Sequence, residues 1–166
     1  MTLQGRLRAS LVVNAILALA LVALIVKIVI VGSTLPAQDG RVIVVLAPGE
    51  RALMLREMRG FVAGLRRISD GLAHGDKSEV AEAARAMGTA AAHNAPVTML
   101  AKLPLEFKRL AFGVHGGFDR LADNAANGAS SQQTLAVLTS ILDGCVACHA
   151  TFQVAPENRD VPRFSD

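Results

Sequence analysis

The sequence predicts an all-α protein: an antiparallel four-helix bundle preceded by one N-terminal transmembrane helix. Three observations carry that expectation. An almost unbroken apolar run over residues 10–26 resumes after Lys27 as "IVIVG". From Pro48 onward, apolar residues recur at intervals of three and four, the period of one helix face. Cap and breaker residues then divide this region into four such stretches, which pack best with their stripes turned inward.

The N-terminal run and its continuation are long enough to cross a hydrocarbon core of roughly 30 Å as a helix. Arg6 and Arg8 precede the run and favour a cytoplasmic N-terminus over residues 1–8, with the remainder exported. Lys27 lies toward the far end, where its stem can snorkel to the interface. Residues 9–32 are therefore expected to be a retained anchor. The alternative is a signal peptide cleaved near "VGS" at residues 31–33, although its apolar region would exceed the roughly 7–15 residues usual for such segments.

Residues 33–49 read as a tether, broken by Pro36, Gly40, Pro48 and Gly49. Inside it, "VIVVL" at Val42–Leu46 is open to three readings: a short strand, a continuation of the helix, or a contact for another subunit. The bundle is expected over residues 50–154 and a C-terminal tail over 155–166. Its first helix carries Met54, Met58, Phe61, Leu65, Ile68 and Leu72 on one face, with Glu50 in the first turn where a carboxylate suits the helix dipole. "HGD" at residues 74–76 stops this helix. Asp76 and Glu79 then resemble a capping box for an alanine-rich second helix that must end before Pro96. Pro104 suits the start of a third helix, with the stripe Phe107, Leu110, Ala111, Val114, Phe118 and Leu121, closed by Asn127-Gly128. Ser130 and Gln133 cap the fourth, whose stripe is Leu138, Ile141, Leu142, Cys145, His149 and Phe152.

The 166 residues suit one compact domain plus an appendage; hydrophobic residues make up 52%, and the excess over a soluble domain lies in the N-terminal run. Mean hydropathy is +0.40. A net charge of +3, no Tyr or Trp, and no aromatic–basic interleaving argue against nucleic acid as a partner. Scattered basic residues would either steer an acidic protein partner or form ordinary solvated faces. No Ser-His-Asp set, paired carboxylates or phosphate loop is present, so substrate turnover is not expected.

The two cysteines of the chain stand at Cys145 and Cys148, with His149 directly after. On a helix Cys145 and His149 share a face, and Cys148 borders it. Two thiols at this spacing match the two vinyl groups of a haem, while the adjacent imidazole reaches the iron, and C-x-x-C-H is the attachment motif of c-type haem. Three other chemistries fit less well. A disulfide between thiols this close in a helix is strained. A thioredoxin-like pair needs a βαβ context. A zinc site needs about four ligands, and there is no second cysteine pair. The expected cofactor is one covalently attached haem c. Thioether attachment belongs outside the bacterial cytoplasm, the side to which the anchor delivers the domain.

On "CVACHATF", on "LPLEF" opening the third helix and on the first-helix methionines, the chain resembles the class II c-type cytochromes, which include cytochrome c′ and its low-spin relatives. The resemblance covers roughly residues 49–152. It implies a four-helix bundle in which Cys145 and Cys148 carry the haem and His149 is the proximal iron ligand. In low-spin members a first-helix methionine fills the sixth position; the matching residue is Met58, with Met54 one turn earlier as second choice. Both methionines are alternatively core residues of the stripe. His74, His93 and His115 are expected to be surface or structural residues. The family commonly has a basic residue after the aromatic, where this chain has Gln153, and many members are soluble rather than anchored. Family members often dimerise through the outer faces of their first two helices, so the resemblance admits a homodimer, and the sequence leaves the oligomeric state open.

The expected function is that of a membrane-anchored monohaem cytochrome, single-pass in a bacterial inner membrane. Its haem domain would lie in the periplasm, carrying electrons between protein redox partners without substrate turnover. A five-coordinate haem protein that binds nitric oxide or carbon monoxide is the alternative if Met58 is merely packed. A haem subunit of a larger membrane complex is a third, with "VIVVL" as its docking feature.

Overall fold

The computed structural model describes residues 3–157. The chain is mostly helical with one small sheet. Residues 158–166, most of the expected C-terminal tail, and the first two residues of the expected cytoplasmic segment lie outside the described part.

Helix α1 (Leu3–Val26) runs directly into a π-helical turn, Lys27–Val31. The stretch Ser10–Val31 has a hydropathy of 2.8 and no residue buried against the protein. At about 1.5 Å rise per residue it is roughly 33 Å long, enough to span a membrane or to act as a signal sequence. In water its bare Leu, Ile and Val side chains would form an apolar surface far larger than soluble monomers carry.

The junction after this helix is built into the domain. Gly32 adopts φ +67°, and a Cβ there would meet the backbone of Lys102, Leu103 and Pro104. The Ser33 amide donates to the Lys102 carbonyl at 2.7 Å. The Lys108 ammonium donates to the carbonyls of Ile28 and Val29, each at 3.3 Å.

The segment expected as a tether instead supplies two of the three strands of a small sheet. Strands β1 (Thr34–Pro36) and β2 (Val42–Leu46) form a hairpin, Thr34 opposite Val44 and Pro36 opposite Val42, with Gly40 at φ +84° in the turn. Strand β3 (Phe152–Pro156) adds parallel to β2, with Val42 opposite Phe152 and Leu46 opposite Pro156. "VIVVL" is thus the central strand. β-Branched residues favour it, and Val44 and Leu46 point inward with no exposed surface. Both of its edges are paired, so its backbone does not dock another subunit. Phe152, expected on the stripe of the last helix, caps that helix and opens β3.

Helix α2 (Pro48–His74) begins with proline in its first turn, and Glu50 accepts from the Ala47 amide at 3.0 Å. It ends at Gly75, whose φ of 71° provides the left-handed cap. Asp76 caps α3 (Lys77–Arg85) by accepting from the Glu79 amide at 3.0 Å. The Glu79 carboxylate does not complete the box; it forms a two-pronged pair with Arg67 at 2.6 and 3.0 Å, tying α3 to α2.

The second helix was expected to continue toward Pro96 but breaks after Arg85, followed by short helices α4 (Thr89–Ala92) and α5 (Val97–Lys102). The break has a tertiary cause. Asp119, from α6 (Leu105–Ala126), accepts from the Thr89 amide at 3.0 Å and the Thr89 hydroxyl at 2.7 Å, capping α4 from across the fold. Gly88 lies so close to that carboxylate that no side chain fits. Helix α7 (Ser131–Thr151) starts on a complete capping box: Ser130 and Gln133 accept from each other's amides at 3.2 and 2.9 Å. It too is long and apolar enough to cross a membrane, with hydropathy 1.4, but it packs against α6.

Two apolar clusters result. One joins α2, α3, α6 and α7 around Ile68, Val80, Ala84, Phe118, Leu121 and Ile141. Burying each of the larger of these side chains contributes about 1.5–3 kcal/mol. The other backs the sheet and contains Val44, Leu46, Met54, Met99, Phe107 and Phe152. A cavity lies between them.

Candidate functional site

Helices α2, α5, α6 and α7, with β3, line a partly open cavity of about 540 Å³, within the roughly 300–1,000 Å³ span of small-molecule and cofactor pockets. Cys145, Cys148 and His149 line it from α7, and Met54 and Met58 from α2. Their placement follows from local structure. The Ser130 cap sets the start of α7, and the 3.6-residue period then turns Cys145, Cys148 and His149 to one side near its end. Met54 and Met58, one turn apart, face the cavity because their stripe is the inner face of α2.

Both cysteines are free and half-buried. Burial pushes the Cys145 thiol above its ordinary value; at Cys148 burial does the same, reinforced by the charge of Cys145. At neutral pH both are thiols rather than nucleophilic thiolates, unlike a disulfide-exchange pair. His149 is exposed on the cavity side. Met54 is buried in the sheet-side cluster, whereas Met58 is half-buried at its margin. Phe107 and Phe152 meet edge to face at 5.3 Å beneath the site.

The three remaining histidines separate clearly. His74 is exposed at the end of α2, its Nδ1 2.9 Å from the Asp70 carbonyl. His93 is exposed at the end of α4. His115 is buried: Nδ1 donates to the Met87 carbonyl at 2.7 Å, and the ring packs 5.3 Å from Phe61. Its Nε2 is 3.5 Å from Glu57 Oε1. The structural role expected of His115 fits these contacts, but it is also a cavity-wall residue, as is Glu57; position at a stripe edge did not disclose that.

Sequence reasoning also missed Arg41. It reaches the cavity from the hairpin, with Nε donating to Asp39 Oδ2 at 2.8 Å and Nη2 to Gln153 Oε1 at 3.1 Å. The Arg41 guanidinium holds the Asp39 carboxyl below its usual range. No local signal marks Arg41, because Gln153 is its neighbour only through the β2–β3 pairing.

Among the described residues, no group of three or more His, Cys, Asp or Glu side chains gathers as a metal site would require. The walls instead offer the imidazole of His149, a second imidazole, His115, already bonded to the Met87 carbonyl, the thioethers of Met54 and Met58, and two thiols. That donor set is too small for a bare ion, and it fits a flat apolar group that brings its own metal ligands and needs only axial ones. No protein-family model matches the chain, and no curated protein or solved structure matches it either.

Proposed function

We propose that this chain is a membrane-anchored monohaem c-type cytochrome of the class II kind, with α2, α3, α6 and α7 forming its antiparallel four-helix bundle. In this reading α1 is retained in a bacterial inner membrane and the domain lies in the periplasm, carrying electrons between protein partners. The observation that carries the reading is the cavity: it places the two thiols and the imidazole of "CVACH" on one wall and the thioethers of Met54 and Met58 on another.

Cys145 and Cys148 would hold the haem through thioether bonds, and His149 and Met58 would ligate its iron. Burial favours the thiol form of both cysteines before attachment. Met58 is favoured over Met54 because Met54 is committed to packing with Phe107 and Phe152, while Met58 lies at the cluster's margin. The haem supplies one-electron redox chemistry when bound. The chain's part is to exclude water with apolar side chains, fix the imidazole, and present a soft sulfur that favours the reduced metal. Holding the domain at the membrane raises its effective concentration near membrane-bound redox complexes.

The test is expression of the full chain in a host competent in cytochrome maturation. Haem staining that survives denaturation, with a low-spin reduced spectrum insensitive to carbon monoxide, is expected. A colourless band with two free thiols refutes the assignment. Met58→Ala should yield a high-spin spectrum that shifts with carbon monoxide; retention of the low-spin spectrum removes Met58 as ligand. A wild-type spectrum that is already high-spin and shifts with the gas would favour gas binding over electron transfer.

A further inference from the structure

The cavity wall is largely apolar, and two full cations line it, Arg41 and Lys108. They are not equivalent. The Lys108 ammonium is engaged by the carbonyl oxygens of Ile28 and Val29, at the anchor junction. The Arg41 guanidinium is held instead by Asp39 and by Gln153, a residue four positions beyond His149 in the chain. The pairing of Ile43 with Gln153 fixes this arrangement, because it sets the hairpin directly against the segment that leaves α7. The backbone amide of Arg41 also donates to Asp39 Oδ1 at 3.1 Å, so turn and side chain are locked together. A fixed cation beside a redox centre favours its less positive, reduced form, and a carboxylate beside that cation opposes the effect.

We propose that Arg41 sets the reduction potential of the group held in the cavity, with Asp39 as its counter-charge. The hairpin thereby brings to the cavity wall, against the segment that leaves α7, a cation that this segment does not itself carry. The proposal rests on the haem reading above. Arg41 acts through its charge and its position, and it is not a ligand.

The experiment is a spectroelectrochemical titration of the haem-loaded full chain in detergent, comparing wild type with Arg41→Gln, Asp39→Asn and Arg41→Lys. The midpoint potential is expected to fall in Arg41→Gln, to rise in Asp39→Asn, and to stay near wild type in Arg41→Lys. Both shifts should shrink as ionic strength increases. Shifts of the same sign in Arg41→Gln and Asp39→Asn would overturn the proposal, since loosening the hairpin has no reason to follow the sign of the charge. An unmoved potential in both variants would overturn it equally. Covalent haem is scored first in the wild type: its absence removes the haem reading and this proposal together, whereas a loaded wild type with unsigned shifts removes the proposal alone.

Discussion

Gly32→Ala tests whether the N-terminal apolar helix and the domain are joined as a fixed unit. Gly32 has φ 67° and ψ −157°, a backbone region that residues with a Cβ essentially avoid. Adopting it costs an alanine about 1–3 kcal/mol. The new Cβ would also lie 2.8 Å from Leu103 C and Pro104 N, and closer still to the Lys102 carbonyl. All three obstacles are backbone and have no rotamer to yield. Relief requires the junction to open, losing the Ser33–Lys102 hydrogen bond, which contributes about 1 kcal/mol. The junction is therefore destabilised by about 2–4 kcal/mol, or roughly 30- to 1,000-fold in its opening equilibrium at 1.4 kcal/mol per decade. Native-state hydrogen exchange at the Ser33 amide reads this directly. Gly40→Ala is the control: it has φ 84° but nothing within 4 Å of its would-be Cβ, so it carries strain without collision. Ser33 protection that is unchanged in Gly32→Ala, or lowered equally by Gly40→Ala, would refute the close backbone approach.

Two further outcomes follow from other contacts. Asp119→Ala removes the cap on α4 and should destabilise the domain by about 1–2 kcal/mol at neutral pH, measured by urea denaturation. Hydrogen bonds from Thr89 hold the Asp119 carboxyl below its ordinary 3.8. Because the folded value is depressed, this stabilisation is fully present above the unfolded value and is lost as pH falls through the folded one. The gap between wild type and variant should therefore close in acid, and a gap that widens there would contradict the assignment. In the haem-free chain, Cys145 and Cys148 should alkylate more slowly at pH 7 than an unfolded control and approach it as pH rises, because burial keeps both protonated. Faster labelling than the control would place them in a different environment.

Much of the fold was legible in sequence because its signals are local. The apolar run of α1, the Gly75 stop, the Asp76 and Ser130 caps and the helical stripes each depend on residues within a turn or two of one another. The same holds for the site. Cys145, Cys148 and His149 are neighbours on one helix, so their spacing nominated them; Met54 and Met58 share one face of another, but only the family resemblance nominated them as ligands. The features that sequence left open or misplaced depend on distant partners. The break in the second helix needs Asp119, some thirty residues away. Phe152 continues a helical stripe on paper but leaves the helix because β2 offers it a parallel partner. Arg41 reaches the cavity only because that pairing exists.

By itself the sequence determined where most helices begin and which one is bare enough for lipid, and it singled out the Cys145–His149 motif, since periodicity, capping and motif spacing are short-range properties. The tertiary structure alone decided that the apparent tether is a hairpin paired into the domain, that Met54, Met58, Cys145, Cys148 and His149 line one cavity, and that a guanidinium from the hairpin lines it with them. Strand pairing and cavity shape arise from contacts between residues a hundred positions apart, and no local pattern encodes them.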